Sequence, residues 1–222
     1  MWVTAMVDTE RLYTELAVAY VRGKLPEAAS DLNAEELLEL GRNAGLKLHR
    51  FKRTIELPRV RAVLGVLRGI APCTLLDIGS GRGVFLWPLL DAFPELPVIA
   101  VEPDAQHRAH LEAVQRGGID RLRILATNAQ DLACADGAFD VVTVLEVLEH
   151  QINPMQLARE AVRVARRFVV VSVPSTPDEN PEHVQLFTGA TLSELLRVAG
   201  AANVRIDYVL NHIIAVARVD RP

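Results

Sequence analysis

The sequence predicts an α/β protein: a mostly parallel, seven-stranded sheet with an antiparallel last strand, helices on both faces and a helical cap ahead of it. Three observations carry this. From Cys73 onward, apolar runs alternate with stretches of helical periodicity, the pattern of strands joined by crossover helices. The run Leu75-Leu76-Asp77-Ile78 ends in Gly79-Ser80-Gly81-Arg82-Gly83 before an apolar helical stretch. It reads as strand, tight turn and helix start, where an open α/β sheet holds a ligand. The last two strands follow each other across a turn near Asn211-His212, so they pair as a hairpin.

Taken in order, Asp8 is a candidate cap for a first helix reaching about Val21, with Leu12, Leu16 and Ala19 on one face, and Pro26 closes it. Asn33 followed by Glu36 has the form of a capping box, opening a helix that Gly45 terminates. A third helix is expected over Pro58 to Arg68, with Val60, Val63, Leu64 and Leu67 at helical spacing. These elements define residues 1–70 as a helical cap or lid, and 71–222 as the ligand-binding domain. Strands are expected at 75–78, 98–101, 123–126, 139–145, 168–173, 204–209 and 213–218. Helices are expected at 84–92, 104–115, 154–165 and 191–199.

Half of the 222 residues are apolar, enough for a full core. No apolar run reaches the roughly 18 residues of a membrane span, and Asp8, Glu10, Arg11 and Glu15 interrupt the start of the chain. The expectation is a cytoplasmic protein without signal peptide or membrane contact. Cys73 and Cys134 are far apart and flanked by apolar residues, so they are expected to be reduced packing residues. The net charge of −4 argues against a protein that coats nucleic acid, yet from Arg42 to Arg68 eight Lys/Arg face one acid. The stretch Lys47-Leu48-His49-Arg50-Phe51-Lys52-Arg53 sets this charge beside an aromatic ring. It is either a solvated face or a lip that attracts an anionic substrate.

The motifs LLDIGSGRG, VEPD at the end of the second strand, and DGAFDVVTVLEVLEH followed by VVVSVPS stand in one order on matching elements. In this they resemble the class I, Rossmann-like S-adenosylmethionine-dependent methyltransferases, over about Leu75 to Arg218. The chemistry agrees. A dinucleotide turn requires G-x-G-x-x-G facing a pyrophosphate, whereas the third glycine here is Gly83 and Asp77 stands just before the loop. A carboxylate there repels phosphates and suits a cofactor with a sulfonium and an ammonium. The resemblance implies that Gly79, Ser80, Gly81 and Gly83 let the backbone approach the methionine half, with Asp77 near its ammonium. It implies Glu102 on the ribose hydroxyls, Asn128 and Ala129 at the adenine, and Leu145 and Glu146 beside the transferred methyl. The family often has Asp where Asn128 stands. Each of Asp77, Glu102 and Asn128 has an alternative reading as a cap or turn residue.

Methyl transfer from a sulfonium is an in-line displacement, so holding the reactants close and aligned supplies most of the catalysis. His150 is the candidate base for an acceptor that loses a proton, with Glu146 beside it. Glu146, Glu149 and His150 fall at i, i+3 and i+4, on one face if the segment is helical. With His183 they form a candidate set for a divalent metal. This arrangement resembles the metal-dependent small-RNA 2′-O-methyltransferases, although metal-free members, including quinone-biosynthesis types, carry similar stretches. The sequence thus leaves a methyltransferase with a small-molecule acceptor as the leading reading, a metal-dependent RNA 2′-O-methyltransferase as the alternative, and a non-catalytic nucleoside-binding module as a third. His212 in its turn, and Phe85 and Trp87, read as structural; His49, His107 and His110 show no partner. The segment 173–181, rich in turn formers, and the N-terminal helices are expected to select the acceptor. Oligomeric state is not legible.

Overall fold

A computed structural model of the chain describes residues 12–177 and 180–221. Short runs of apolar residues, buried on both faces, form the centre of the sheet: β1 (Leu75–Ile78), β2 (Val98–Val101) and β4 (Phe139–Leu145). Side chains covered on both faces are what crossover connections demand, and β1 pairs in parallel with both β2 and β4. β3 (Leu122–Leu125) lies outside β2, and the long β5 (Ala165–Pro174) lies outside β4. β6 (Asn203–Val209) and β7 (His212–Arg218) form the expected hairpin, with β7 inserted antiparallel against β5. The seven strands run in the order β3-β2-β1-β4-β5-β7-β6. The order reverses beside β1, so the crevice above β1 and β4 is the natural ligand site.

One face of the sheet carries α1 (Thr14–Lys24), α3 (Pro58–Ile70), α4 (Leu86–Ala92) and α5 (Ala105–Arg116) in one apolar cluster with Leu75, Val98 and Val141. The other face carries α6 (Pro154–Val164) and α7 (Gly189–Val198) over Leu76, Val142 and Val169. The N-terminal helices therefore bury their apolar sides in the same cluster as the sheet. α2 (Ala34–Asn43) opens on the expected capping box: the Asn33 side chain accepts from the Glu35 and Glu36 amides, and Asn33 N–H donates to Glu36 Oε2 at 2.8 Å. Such a cap contributes about 1 kcal/mol. α1 and α5 meet backbone to backbone. A Cβ on Gly23 would lie 1.8 Å from the carbonyl oxygen of Ala113, and one on Gly117 would lie 1.7 Å from that of Ala19.

Several expectations change. The proposed Asp8 cap lies outside the described residues. The helix after the glycine loop starts at Leu86 rather than Val84, because Gly83 N–H closes a turn on the Ser80 carbonyl at 2.9 Å. Cys73 is exposed, not a packing residue, and both cysteines are free. Phe51 does not accompany the basic side chains at the surface: it is buried and stacks between Tyr20 and Trp87, at 5.2 and 5.1 Å between ring centres. No helix among the described residues is long and apolar enough to cross a membrane.

At the end of the sheet away from the crevice, Asp140 has a side chain 1 % exposed. It accepts from Cys73 N–H at 2.7 Å and from Nε of Arg166 at 2.9 Å. Burial pushes its pKa up, but these bonds and the charges of Arg166 and Arg167 outweigh it and hold the carboxyl below its ordinary range.

Candidate active site

Asp77, the penultimate residue of β1, is 2 % exposed. Thr143 on β4 donates its hydroxyl to Oδ1 at 2.7 Å, and Ser80 donates to Oδ2 at 2.6 Å. Burial raises its pKa, the two hydroxyls lower it, and the Glu102 charge adds to the rise; the net direction is upward. Among the described residues Asp77 forms no ion pair.

The loop then turns on backbone that only glycine adopts freely. Gly79 and Gly83 have φ of 77° and 84°, and a Cβ would fall 2.4 Å from Val147 Cγ2 at the first and 2.0 Å from the Trp87 ring at the second. Glu102, directly after β2, clamps the loop from outside. Its Oε2 accepts from Gly81 N–H at 2.6 Å and its Oε1 from Asp104 N–H at 2.9 Å. Each oxygen keeps a second lone pair for a ligand hydroxyl.

Above the loop is a cavity of about 190 Å³ lined by Asp77, Gly79, Ser80, Gly81, Leu145 and Glu146, with Arg59, Arg82 and Ser172 among the remaining walls. Glu146 directly follows β4 with φ 57°, a left-handed conformation unusual for a residue with a side chain and typical of strained functional positions. Its Oε1 accepts from the Ser172 hydroxyl at 2.6 Å, its Oε2 lies 3.1 Å from His212 Nε2, and Arg59 Nε stands 3.8 Å away.

This corrects the expectation that Glu146, Glu149 and His150 share a helical face. Only Leu148–His150 form a helical turn, a single 3₁₀ one, and the left-handed Glu146 ahead of it swings its carboxylate toward Ser172 and His212. Glu149, His150 and His183 do converge, with one ligand atom from each within 4.8 Å of the others. The His150 and His183 rings meet edge to face at 4.8 Å, and His150 Nδ1 is 3.0 Å from the Glu182 carbonyl oxygen. His150 stands in that cluster and does not line the cavity. Asn128 and Ala129 do not line it either; the Asn128 side chain accepts from Gln130 N–H at 3.0 Å in a turn.

Sequence reading missed Arg59, Ser172 and His212. Arg59 stood among eight cations with nothing to single it out, and His212 read as a turn residue. The hairpin seats His212 opposite Pro174, at the crevice end of β5. Two histidines that showed no partner have one: His107 Nδ1 lies 3.6 Å from Asp104 Oδ1, and His110 Nδ1 lies 2.5 Å from Arg50 Nη1.

A family model described as "Methyltransferase domain" matches residues 76–170, from β1 through the glycine loop, Glu102 and Glu146 into β5. Residues 76–170 thus match a methyltransferase domain, and the chain has a Rossmann-like fold. A ubiquinone biosynthesis O-methyltransferase of Caulobacter vibrioides is 30% identical to it over 141 residues, 63% of this chain and 49% of that protein. A tRNA U34 carboxymethyltransferase of Cronobacter sakazakii is 28% identical over 146 residues, 61% of this chain and 42% of that protein. The methyltransferase domain thus spans less than half the length of these two curated relatives. A solved SAM-dependent methyltransferase from Aquifex aeolicus superposes with a TM-score of 0.62 at 19% identity, covering 75% of this chain and 92% of that one, and shares the fold.

Proposed function

We propose that the protein is an S-adenosylmethionine-dependent methyltransferase. One observation carries this beyond the family match: the buried Asp77 carboxylate faces a cavity, satisfied by hydroxyls but by no cation among the described residues. A phosphate-bearing ligand would be repelled there, and a sulfonium with its neighbouring ammonium would be stabilised. Asp77, Gly79, Ser80, Gly81 and Gly83 would hold the methionine half, Glu102 the ribose, and Asn128 and Ala129 the adenine edge. The cofactor supplies an electrophilic methyl when bound, and Leu145 borders its position.

Of the two groups read as catalytic from the sequence, Glu146 is the one in the cavity wall. It accepts the proton of a hydroxyl or amine acceptor, oriented by Ser172 and His212, with Arg59 Nε 3.8 Å from its carboxylate. His150 stands outside that wall as a secondary candidate. We take residues 1–70 to be a cap that borders the acceptor and the protein to act in the cytoplasm. A small-molecule acceptor is the reading we favour, though the relatives' names span a quinone pathway and a tRNA. Calorimetry with S-adenosylmethionine and its demethylated product tests the cofactor assignment: tight binding lost in Glu102→Ala supports it, and no binding to the wild type overturns it. Labelled methyl transfer to any acceptor excludes a non-catalytic nucleoside-binding module.

The convergence of Glu149, His150 and His183 favours a second reading, a metal-assisted RNA 2′-O-methyltransferase. One carboxylate and two imidazoles suit a divalent transition metal, with Glu146 outside the set. Metal analysis of the purified protein and activity after chelation decide it: full activity without bound metal removes this reading.

A further inference from the structure

Beside the cofactor cavity lies a second, more open basin of about 440 Å³, whose walls include Lys47, Arg50, Lys52, Arg82, His49 and His107. We propose that this basin binds a phosphate group of the methyl acceptor. That the ligand is the methyl acceptor rests on the methyltransferase reading; the anion site itself does not.

Four observations converge on the basin. Among the described residues no carboxylate lines it, and Lys47, Lys52 and Arg82 form no ion pair. Elsewhere arginines are matched: Arg163 with Glu160 and Asp136, Arg166 with Asp140, Arg53 with Asp91. Arg50, by contrast, is held by an uncharged group. Burial, together with the charges of Arg50, Lys24, His107 and Lys47, lowers the His110 pKa to about 4, so at neutral pH its imidazole orients the guanidinium without cancelling its charge. Asp104 caps α5 rather than lining the basin, accepting from His107 N–H at 2.7 Å.

The segment is also anchored. Lys52 forms a β-bridge to Leu12, Tyr13 N–H donates to the Phe51 carbonyl at 2.9 Å, and the Thr54 hydroxyl donates to the Val84 carbonyl at 2.7 Å. Arg82 and Val84 line both the basin and the cofactor cavity, so a ligand can reach from one into the other. Phe51 is buried and puts no phenyl ring at the basin, so charge leads the recognition. In a chain of net charge −4 this positive basin steers an anion toward one place.

The phosphate belongs either to an RNA strand or to a small phosphorylated molecule, and the test separates these sources. Binding to the full chain is measured by fluorescence anisotropy with a short labelled single-stranded RNA, and by competition with inorganic pyrophosphate, over a salt series. For Lys47→Gln/Lys52→Gln the expected result is about tenfold weaker binding and a salt slope smaller by about 1.4, the change for two lost phosphate contacts on a single strand. The control Arg123→Gln, on β3, is expected to bind as wild type. RNA bound more tightly than pyrophosphate points to a strand, and equal competition points to a small acceptor; either supports the site. Unchanged binding in the double variant, or equal weakening in the control, overturns it. Circular dichroism checks that the variants fold, and calorimetry with S-adenosylmethionine is run in parallel. Phosphate binding without cofactor binding would defeat the methyltransferase reading and leave the basin standing; the reverse would defeat the basin alone.

Discussion

Asp77→Asn separates what the buried carboxylate costs the empty protein from what it contributes to a bound cation. The side chain is 2 % exposed, and its partners are the Ser80 and Thr143 hydroxyls, which rotate to accept as readily as to donate. Asparagine therefore fills the same space with its polar atoms satisfied, and the buried charge is gone. Removing such a desolvated group is expected to stabilise the cofactor-free protein by about 1–2 kcal/mol, a rise in melting temperature of roughly 2–8 °C for a domain of this size. The pH dependence has a definite sign. Burial raises the folded pKa of Asp77 above its unfolded value, so the folded wild type holds its proton to higher pH. It loses stability as pH rises through that interval. The variant does not, so its advantage is present above the folded pKa and vanishes below the unfolded one. Affinity for S-adenosylmethionine should move the other way, by about 2 kcal/mol or more, roughly 30-fold, as for one partner removed from a buried charge pair. Differential scanning fluorimetry over a pH series, with calorimetry for the cofactor, reads both. A variant less stable than wild type, or one that binds the cofactor within threefold of it, would refute the reasoning.

Gly83→Ala should lose about 2–4 kcal/mol, combining a left-handed alanine with a Trp87 ring forced from its seat; denaturant melts followed by tryptophan fluorescence would show it. Glu146→Gln is expected to lower kcat about 100-fold with cofactor affinity unchanged, as steady-state kinetics beside calorimetry would read; a kcat near that of wild type would move the base elsewhere. Arg166→Ala leaves the buried Asp140 with its backbone partner alone and should cost about 1–3 kcal/mol at neutral pH. Since the folded pKa of Asp140 is depressed, its contribution is present above the unfolded value and lost as pH falls through the folded one. Wild type and variant should therefore converge in acid, as thermal melts at descending pH would record.

What was legible in the sequence was what neighbours along the chain decide. The capping box at Asn33 and the Ser80–Gly83 turn after β1 depend on bonds within a few residues, so their residue types declare them, and Glu102 stands out as an acid directly after an apolar strand. Sheet order followed from alternation and from one hairpin. The cavity wall around Glu146 was not legible, because its partners Ser172 and His212 lie 26 and 66 residues away and meet it only when β5 and the hairpin close beside β4. The helical spacing of Glu146 with Glu149 and His150 misled for a local reason: a left-handed residue breaks the periodicity that the spacing assumes. Phe51 misled for the opposite reason, since a ring among cations gives no sign of the aromatic neighbours that bury it.

The contact between α1 and α5 sets an order of events during synthesis. Gly23 and Gly117 admit the opposing backbone only when both helices are present, and their positions in the chain are 94 residues apart, from 23 to 117. The side of α1 that faces α5 must therefore wait, uncovered, until the residues through Gly117 have left the ribosome. Nascent chains arrested before that point would keep α1 open to proteases and chaperones, and those arrested after it could close it.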